Sequence, residues 1–205
     1  MAELLRERGY RTAFSGKWHQ GSAAPHRPLD RGFESSYGLL DGCCNFFDPA
    51  QPDPGFKGGR VRVFCDGSER VTEFPEDYYT TDAFTQRAVE SIEELASEEA
   101  PFFLYLPYCI PHTKFQVPDL GAYADKPWTK NQKVQAAMIT RMDRDVGAIA
   151  DLVAELGLAQ DTLILFTSDH GTHGSADARK HFQASGPLRG VKRSMYEGGL
   201  RVPLV

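Results

Sequence analysis

The sequence lacks the features that would place it in several common classes of protein. Its four cysteines (positions 43, 44, 65 and 109) form no CxxC pair, which argues against a zinc knuckle and favours buried or free thiols. No apolar run approaches the roughly 20 residues of a membrane-spanning helix, and no secretory hydrophobic segment follows Met1. A formal net charge of -5 gives no support to nucleic-acid binding.

What is present is the composition of one globular domain. The 205 residues are 41% hydrophobic and 25% charged, enough for a substantial core. Apolar periodicity predicts helices at 2–8, 81–97 and 130–156, and strands at 10–15, 102–106 and 162–166. This alternation predicts an α/β fold, a largely parallel sheet flanked by helices. Residues 20–79 are predicted to form a long excursion near the active face, with an edge strand at 61–64.

The run Thr162–Phe166 is predicted to be a strand buried on both faces, and polar side chains follow it. Asp169, His170 and Gly171 follow almost at once. Open α/β sheets bind ligands at the carboxyl ends of their strands, and Asp and His donate oxygen and nitrogen to divalent cations. An ordinary turn, with Asp169 capping the backbone and His170 in solvent, is an equal alternative from these residues alone.

Two other predicted strands also end in polar side chains. Lys17 and His19 follow the first strand, and His112 follows the second after a proline. Each signal is weak alone, because loops often carry exposed Lys and His. Three strand ends that each deliver polar donors predict one shared crevice.

The segment after Gly171 is basic in an otherwise acidic chain. It suits an anionic substrate held beside a metal. Glycine turns at 186–190 and 198–199 flank Lys192 and are predicted to hold it in place, whereas Arg179 and Lys180 are interpreted as solvated surface. The basic residues are Arg179, Lys180, Arg189, Lys192 and Arg193, with Asp177 the only acid among them.

Together these groups describe a metal-assisted site for a sulfate or phosphate ester. Metal-assisted hydrolysis of such an ester requires a nucleophile beside the metal. Ser168 is adjacent but is predicted to point into the turn, and nothing supports Thr172. No cysteine has neighbours that would activate it.

Several motifs in order resemble those of the sulfatase family, within the alkaline-phosphatase-like superfamily. Residues 16–21 read GKWHQG, like the family's GKWHxG, and 26–34 resemble its next Gly-Phe-Glu segment. The strand at 101–106 with Pro111, His112 and Thr113 is similar to the PHxP region, with Lys114 in place of the usual proline. TSDHG at 167–171 resembles the metal motif, and 188–203 resembles LRGxKxxxxEGG followed by RVP.

The resemblance implies roles at the matching positions. Asp169 and His170 would bind a divalent cation, most often Ca²⁺ and sometimes Mg²⁺, although the family more often has Asn at the second position. Lys17 and Lys192 would bind the substrate sulfate. His19 would hydrogen-bond the nucleophile and assist breakdown of the covalent intermediate, and His112 would contact the sulfate or protonate the leaving oxygen. We therefore assign His19, His112 and Lys192 as catalytic and Lys17, Lys192 and His112 as substrate-binding.

One departure from the family matters. The family's nucleophile is a formylglycine made from Cys or Ser in a C/S-x-P/A-x-R motif, which lies upstream of GKWH together with an Asp-Asp metal pair. The sequence begins after both, so residues 1–205 are predicted to be the central part of a sulfatase catalytic domain, with an incomplete sheet and no C-terminal subdomain. We expect the 205-residue polypeptide alone to be inactive.

The function implied by the resemblance is metal-dependent hydrolysis of a sulfate monoester, small or carbohydrate. Two alternatives stay open: a phosphodiesterase or phosphonate monoester hydrolase of the same superfamily, and a non-catalytic, degenerate protein. Nucleic acid is not an expected partner. Family members are often periplasmic, secreted or lysosomal, and the sequence itself does not decide localisation, substrate or oligomeric state.

Overall fold

The computed structural model describes residues 1–52, 59–112 and 115–205. It is a mixed α/β fold in which a five-stranded sheet is flanked by helices. The helices are α1 (Ala2–Arg6), α2 (Thr80–Ala96), α3 (Lys130–Glu155), α4 (Ala176–His181) and α5 (Glu197–Leu200). The strands are β1 (Arg11–Lys17), β2 (Ser35–Leu39), β3 (Phe64–Asp66), β4 (Glu69–Arg70) and β5 (Phe102–Tyr105), and two short 3-10 turns span Leu29–Arg31 and Gly121–Tyr123.

The sheet has the strand order β4-β3-β2-β1-β5. Strand β1 lies between β2 and β5 and runs parallel to both, whereas β3 and β4 are antiparallel additions at the opposite edge. The carboxyl ends of β1, β2 and β5 therefore meet at the same edge of the sheet. This geometry places the GKWH segment beside the chain that follows β2 and β5.

Two apolar clusters cover the faces of β1, because successive side chains on a strand point to opposite sides. On one face Phe14 packs edge-on against Trp18 and Phe33, with ring centroids 5.5 and 5.6 Å apart. On the other, the Ser15 hydroxyl donates to the Phe84 carbonyl of α2 over 2.8 Å. Helices α2 and α3 close this second face around a buried core.

The predicted helices are confirmed with small shifts of their ends. Helix α3 begins with a capping box, in which the Thr129 hydroxyl accepts from the Gln132 backbone and the Gln132 side chain accepts from the Thr129 backbone. None of the helices in the described part of the chain is long and apolar enough to cross a membrane. All four cysteines are buried.

The predicted strand Thr162–Phe166 is wrong in this structure. Its side chains are exposed, with Leu163 at 81% and Leu165 at 64% of full exposure, and it does not join the sheet. The Phe166 backbone instead pairs in both directions with Val205, over 2.9 and 3.0 Å. An apolar run becomes a buried strand only when neighbours cover both its faces, and the described residues supply none for this run.

The region at 20–79 contributes more to the sheet than its composition predicted. Strand β2 lies inside it and pairs with β1, while the predicted edge strand at 61–64 appears as a hairpin of β3 and β4 instead. Its aromatic residues are buried as expected, with Phe46 and Phe64 each 1% exposed. The sequence therefore predicts the burial of the aromatic side chains in this region, but it does not predict strand β2.

Candidate active site

Lys17 and His19 lie at the carboxyl end of β1. The Lys17 N–H donates to the Pro107 carbonyl after β5 over 2.8 Å, and the His19 N–H donates to the Leu40 carbonyl after β2 over 3.1 Å. The backbone at the end of β1 is therefore hydrogen-bonded to the residues that follow β5 and β2. Two of the three predicted strand ends therefore meet at this edge, whereas the run before Asp169 forms no strand of the sheet.

The ring of His19 rests against the backbone of Gly42. A Cβ at Gly42 would lie 2.6 Å from the ring Nε2 and Cε1 atoms of His19, so only glycine leaves room there. His19 itself has φ +55, a left-handed conformation that is uncommon for a residue with a side chain. The loop that follows β2 therefore packs directly against this imidazole.

Charges from segments that are distant in the sequence shift the pKa of His19. Burial lowers the pKa of His19, the positive charges of Lys17, Lys192 and Arg62 lower it further, and Asp41 opposes them. A charge shifts a pKa in this way only when it lies close by. The charge of Lys192 therefore acts on His19, although the two residues are distant in the sequence.

Lys192 is held in place by backbone contacts and turns. Its N–H donates to the Thr172 carbonyl over 3.0 Å, and Gly190 and Arg193 on either side have φ +91 and +76. Burial lowers the pKa of Lys192, and Lys17 and Arg193 lower it further against the influence of Asp169. The turn at Gly190 is one of the glycine turns predicted beside Lys192, whereas Gly198 and Gly199 lie in helix α5 and the turn after Lys192 is at Arg193.

Asp169 and His170 are adjacent in space as well as in sequence. His170 Nδ1 lies 2.9 Å from the Gly171 carbonyl oxygen. His170 Nε2 lies 3.2 Å from Asp169 Oδ2. Metal-binding histidines commonly hydrogen-bond a carbonyl through the ring nitrogen that does not bind the metal, and the Nδ1 contact has this form.

The donor set is nevertheless incomplete for a metal ion. Within residues 1–52, 59–112 and 115–205 no three His, Cys, Asp or Glu side chains are grouped so that they could hold one. Ca²⁺ takes six to eight oxygen ligands, and Asp169 and His170 supply two donors. These residues by themselves do not fit a complete cation site.

His112 lies on the same side of the crevice, next to a histidine that sequence analysis did not assign. The rings of His112 and His173 have centroids 6.2 Å apart. Burial lowers the pKa of His173, and the charges of Lys192, Arg193, Arg179 and His170 lower it further. The only sequence signal for His173 was its place two residues after the TSDHG motif. Thr113 and Lys114 of the PHxP-like region lie outside the described residues.

The lowered pKa of His19 predicts how it titrates. His19 should be neutral at pH 7 and bind a proton only below the ordinary value of 6.5. Because the unfolded chain binds that proton more readily, His19 should reduce the stability of the fold as the pH falls below 6.5, and should have no such effect above it. Replacing Lys192 by Gln should raise the pKa of His19, measured by NMR titration of its ring.

Lys126→Gln is the matched control, because it removes the same charge from an exposed loop. It should leave the titration of His19 unchanged. An identical His19 pKa in wild type and Lys192→Gln would show that the two segments do not meet in solution.

Comparison with known proteins identifies the family of the chain. The sulfatase family model matches residues 1–205. The chain is 27% identical to an arylsulfatase of Klebsiella aerogenes over 84% of its own length and 47% of that protein. It is 29% identical to the N-acetylgalactosamine-6-sulfatase of Canis lupus familiaris, covering all of this chain and 38% of the relative. The chain therefore spans less than half of the length of these curated relatives.

Solved structures show the same fold. The crystal structure of "Ps i-CgsB in complex with k-i-k-neocarrahexaose" matches with a TM-score of 0.83 and 33% identity, over 99% of this chain and 46% of that one. The PsFucS1 sulfatase from Pseudoalteromonas sp. matches with a TM-score of 0.73 and 23% identity, over all of this chain and 43% of that one. With a family model that covers every residue, the chain belongs to the sulfatase family.

Proposed function

We propose that residues 1–205 are the central part of a catalytic domain that hydrolyses a sulfate monoester, and that the ester is carried by a carbohydrate. The observation that carries the proposal is that Lys17 and His19 stand where the ends of β1, β2 and β5 meet, through the hydrogen bonds to Pro107 and Leu40, while the charge of Lys192 lowers the pKa of His19. Two fixed cations match the charge of a sulfate ester and the negative charge that develops on its oxygens. The proposal that the ester is carried by a carbohydrate rests on two relatives. One is named N-acetylgalactosamine-6-sulfatase, and the other is solved in complex with k-i-k-neocarrahexaose.

Each side chain has a role in this proposal. Lys17 and Lys192 bind the sulfate oxygens as point charges. His19, neutral at pH 7 because its pKa is lowered, can accept a hydrogen bond or a proton from a reacting hydroxyl. His112 protonates the oxygen of the departing alcohol. The net reaction consumes water and releases the alcohol and sulfate.

We also propose that Asp169 and His170 contribute two of the ligands of a divalent cation, Ca²⁺ more readily than Mg²⁺. The support is that His170 Nε2 and Asp169 Oδ2 lie 3.2 Å apart, and that His170 Nδ1 contacts the Gly171 carbonyl. A bound cation would supply positive charge for the ester oxygens. Its remaining ligands, and the formylglycine nucleophile, are expected outside this chain.

The test is an assay of the complete gene product and of the 205-residue chain on matched esters. We expect the gene product to hydrolyse 4-nitrophenyl sulfate or a sulfated sugar faster than the corresponding phosphate ester, and to lose this activity when a chelator removes divalent cations. We expect the 205-residue chain to show no turnover above its Lys192→Ala variant.

Two outcomes would overturn the proposal in different directions. Faster hydrolysis of the phosphate mono- or diester would assign the chain to the phosphodiesterase or phosphonate hydrolase branch of the superfamily. No hydrolysis of any ester, with retained binding of a sulfated sugar, would favour the non-catalytic alternative.

A further inference from the structure

Arg62 is a buried cation that lies just before β3. Only 7% of its surface is exposed, whereas Arg60 and Arg70 on the same stretch of chain are exposed. Removing a guanidinium from water costs free energy, so arginine is rarely buried without specific partners. An Arg62 Nη2–H donates to the sulfur of Cys43, with 3.5 Å between the two atoms. The guanidinium therefore lies against the loop that follows β2.

That loop is attached on both sides of Gly42. The residue before Gly42 is Asp41, whose Oδ2 accepts a hydrogen bond from the Val63 N–H over 2.8 Å. The residue after it is Cys43, which contacts Arg62. Because Arg62 and Val63 are neighbours in the chain, two adjacent residues bind both flanks of Gly42.

Gly42 is also the residue that packs against His19. Its backbone approaches the imidazole so closely that a Cβ would lie 2.6 Å from the ring Nε2 atom. The His19 N–H donates to the carbonyl of Leu40, two residues before Gly42, over 3.1 Å. Apart from these contacts, a large part of His19 is exposed. The position of the imidazole therefore depends on the position of the loop, which Arg62 helps to hold.

The charge of Arg62 also reaches His19. Burial is the largest cause of the lowered pKa of His19, and the cations Lys17, Lys192 and Arg62 lower that pKa further. The carboxylate of Asp41 opposes them. The two lysines are the groups proposed to bind sulfate, whose negative charge offsets theirs when the site is occupied. Arg62 is buried and does not bind the substrate, so its charge acts on the ring in the free and in the occupied site.

We propose that Arg62 is a positioning residue for His19, which anchors the loop on which the imidazole rests and opposes protonation of its ring. The inference rests on the proposed function, because it gives Arg62 a part in keeping His19 able to accept a proton or a hydrogen bond from a reacting hydroxyl. Arg62 acts through the loop and through its charge, without touching the substrate. A reacting side chain needs supporting groups of this kind to stay in a productive geometry.

The kinetic test uses the complete gene product and 4-nitrophenyl sulfate. In Arg62→Gln we expect kcat to fall about ten- to a hundredfold, with KM changed by less than about threefold, because a misplaced reacting group slows the chemical step more than it weakens binding. The acidic limb of the kcat pH profile should move to higher pH, because His19 then binds a proton more readily. Arg62→Lys, which keeps the charge, should retain the wild-type limb.

Arg70→Gln is the matched control, because it removes the same charge from exposed strand β4 of the same hairpin. Its pH profile should equal that of wild type. An acidic limb that does not move in Arg62→Gln, or that moves equally in Arg62→Lys, would overturn the inference. Cys43→Ala tests the contact if Arg62→Gln does not fold. It should lower kcat about three- to tenfold, the value of one hydrogen bond, and a wild-type kcat would refute the anchoring role.

NMR titration of the 205-residue chain separates failure of the inference from failure of the proposed function. Arg62→Gln should raise the pKa of the His19 ring, whereas Arg62→Lys and Arg70→Gln should leave it at the wild-type value. If the gene product hydrolyses no sulfate ester, this titration still decides whether Arg62 acts on His19. The same His19 pKa in wild type and Arg62→Gln would refute the inference.

Discussion

Replacing Lys192 by Ala in the complete gene product should lower kcat/KM for a sulfate monoester by about 10²–10³-fold, the usual cost of removing one group that stabilises transition-state charge. The charge of Lys192 acts on His19, and backbone contacts already hold its loop in place. The loss should appear in kcat as well as KM, because the charge on the sulfate oxygens changes as the ester bond breaks. Steady-state kinetics on 4-nitrophenyl sulfate measure both constants.

Substitution of Lys17, and of the exposed Lys126 as a control, completes this test. Lys17→Ala should cause a loss of similar size, and the double variant should lose less than the product of the two, because both act on one group. Lys126→Ala, which removes a charge from an exposed loop, should retain wild-type kinetics. A Lys192→Ala variant within threefold of wild type would remove Lys192 from the proposed site.

Gly171→Ala should damage both stability and activity. A Cβ at this position would lie 2.0 Å from the Gly198 carbonyl oxygen and 2.9 Å from the Gly199 Cα atom, and both are backbone atoms that cannot rotate away. The Gly171 N–H also donates to the Gly199 carbonyl over 3.0 Å. We expect a loss of about 1–3 kcal/mol in the free energy of unfolding, as for other overpacked sites. Urea denaturation of the 205-residue chain measures it.

Gly147→Ala is the matched control for this substitution. Gly147 lies inside α3, and a Cβ there would meet nothing within 4 Å. Alanine should stabilise the helix by about 0.5–1 kcal/mol, because glycine loses more conformational freedom on folding. If Gly171→Ala were as stable as wild type, the packing of the TSDHG loop on residues 198–199 would not exist in solution.

The two glycine variants also separate activity from folding. Gly171 joins the loop that carries Asp169 and His170 to the segment that carries Lys192. In the complete gene product Gly171→Ala should therefore reduce hydrolysis at temperatures where the protein is still folded, and Gly147→Ala should not.

Local pattern was sufficient for the helices and for the position of the polar groups. Helix α3 could be predicted because an apolar stripe repeats along its length, and its first turn has a capping sequence. Lys17, His19 and His112 could be placed at strand ends because a buried strand has a recognisable length and composition. These features depend on neighbours in the sequence.

Pairing between distant segments could not be predicted in the same way. Strand β2 is a short Ser-rich stretch, and it is a strand because β1 pairs with it. The run Thr162–Phe166 has the composition of a buried strand and yet stays exposed, because its burial depends on which residues cover it. Strand propensity is a property of the surroundings more than of the residues.

The sequence by itself therefore determined which chemical groups this protein has and which of them follow strands or turns: the two lysines, the histidines at 19 and 112, and the Asp169–His170 pair. Only the tertiary structure decided that the charge of Lys192 acts on His19, that the ring of His173 lies beside that of His112, and that Arg179 and Lys180 line an open surface pocket. The physical reason is range. Composition and periodicity act over a few residues, whereas the fields and contacts of the crevice arise between segments that only the folded sheet and its loops bring together.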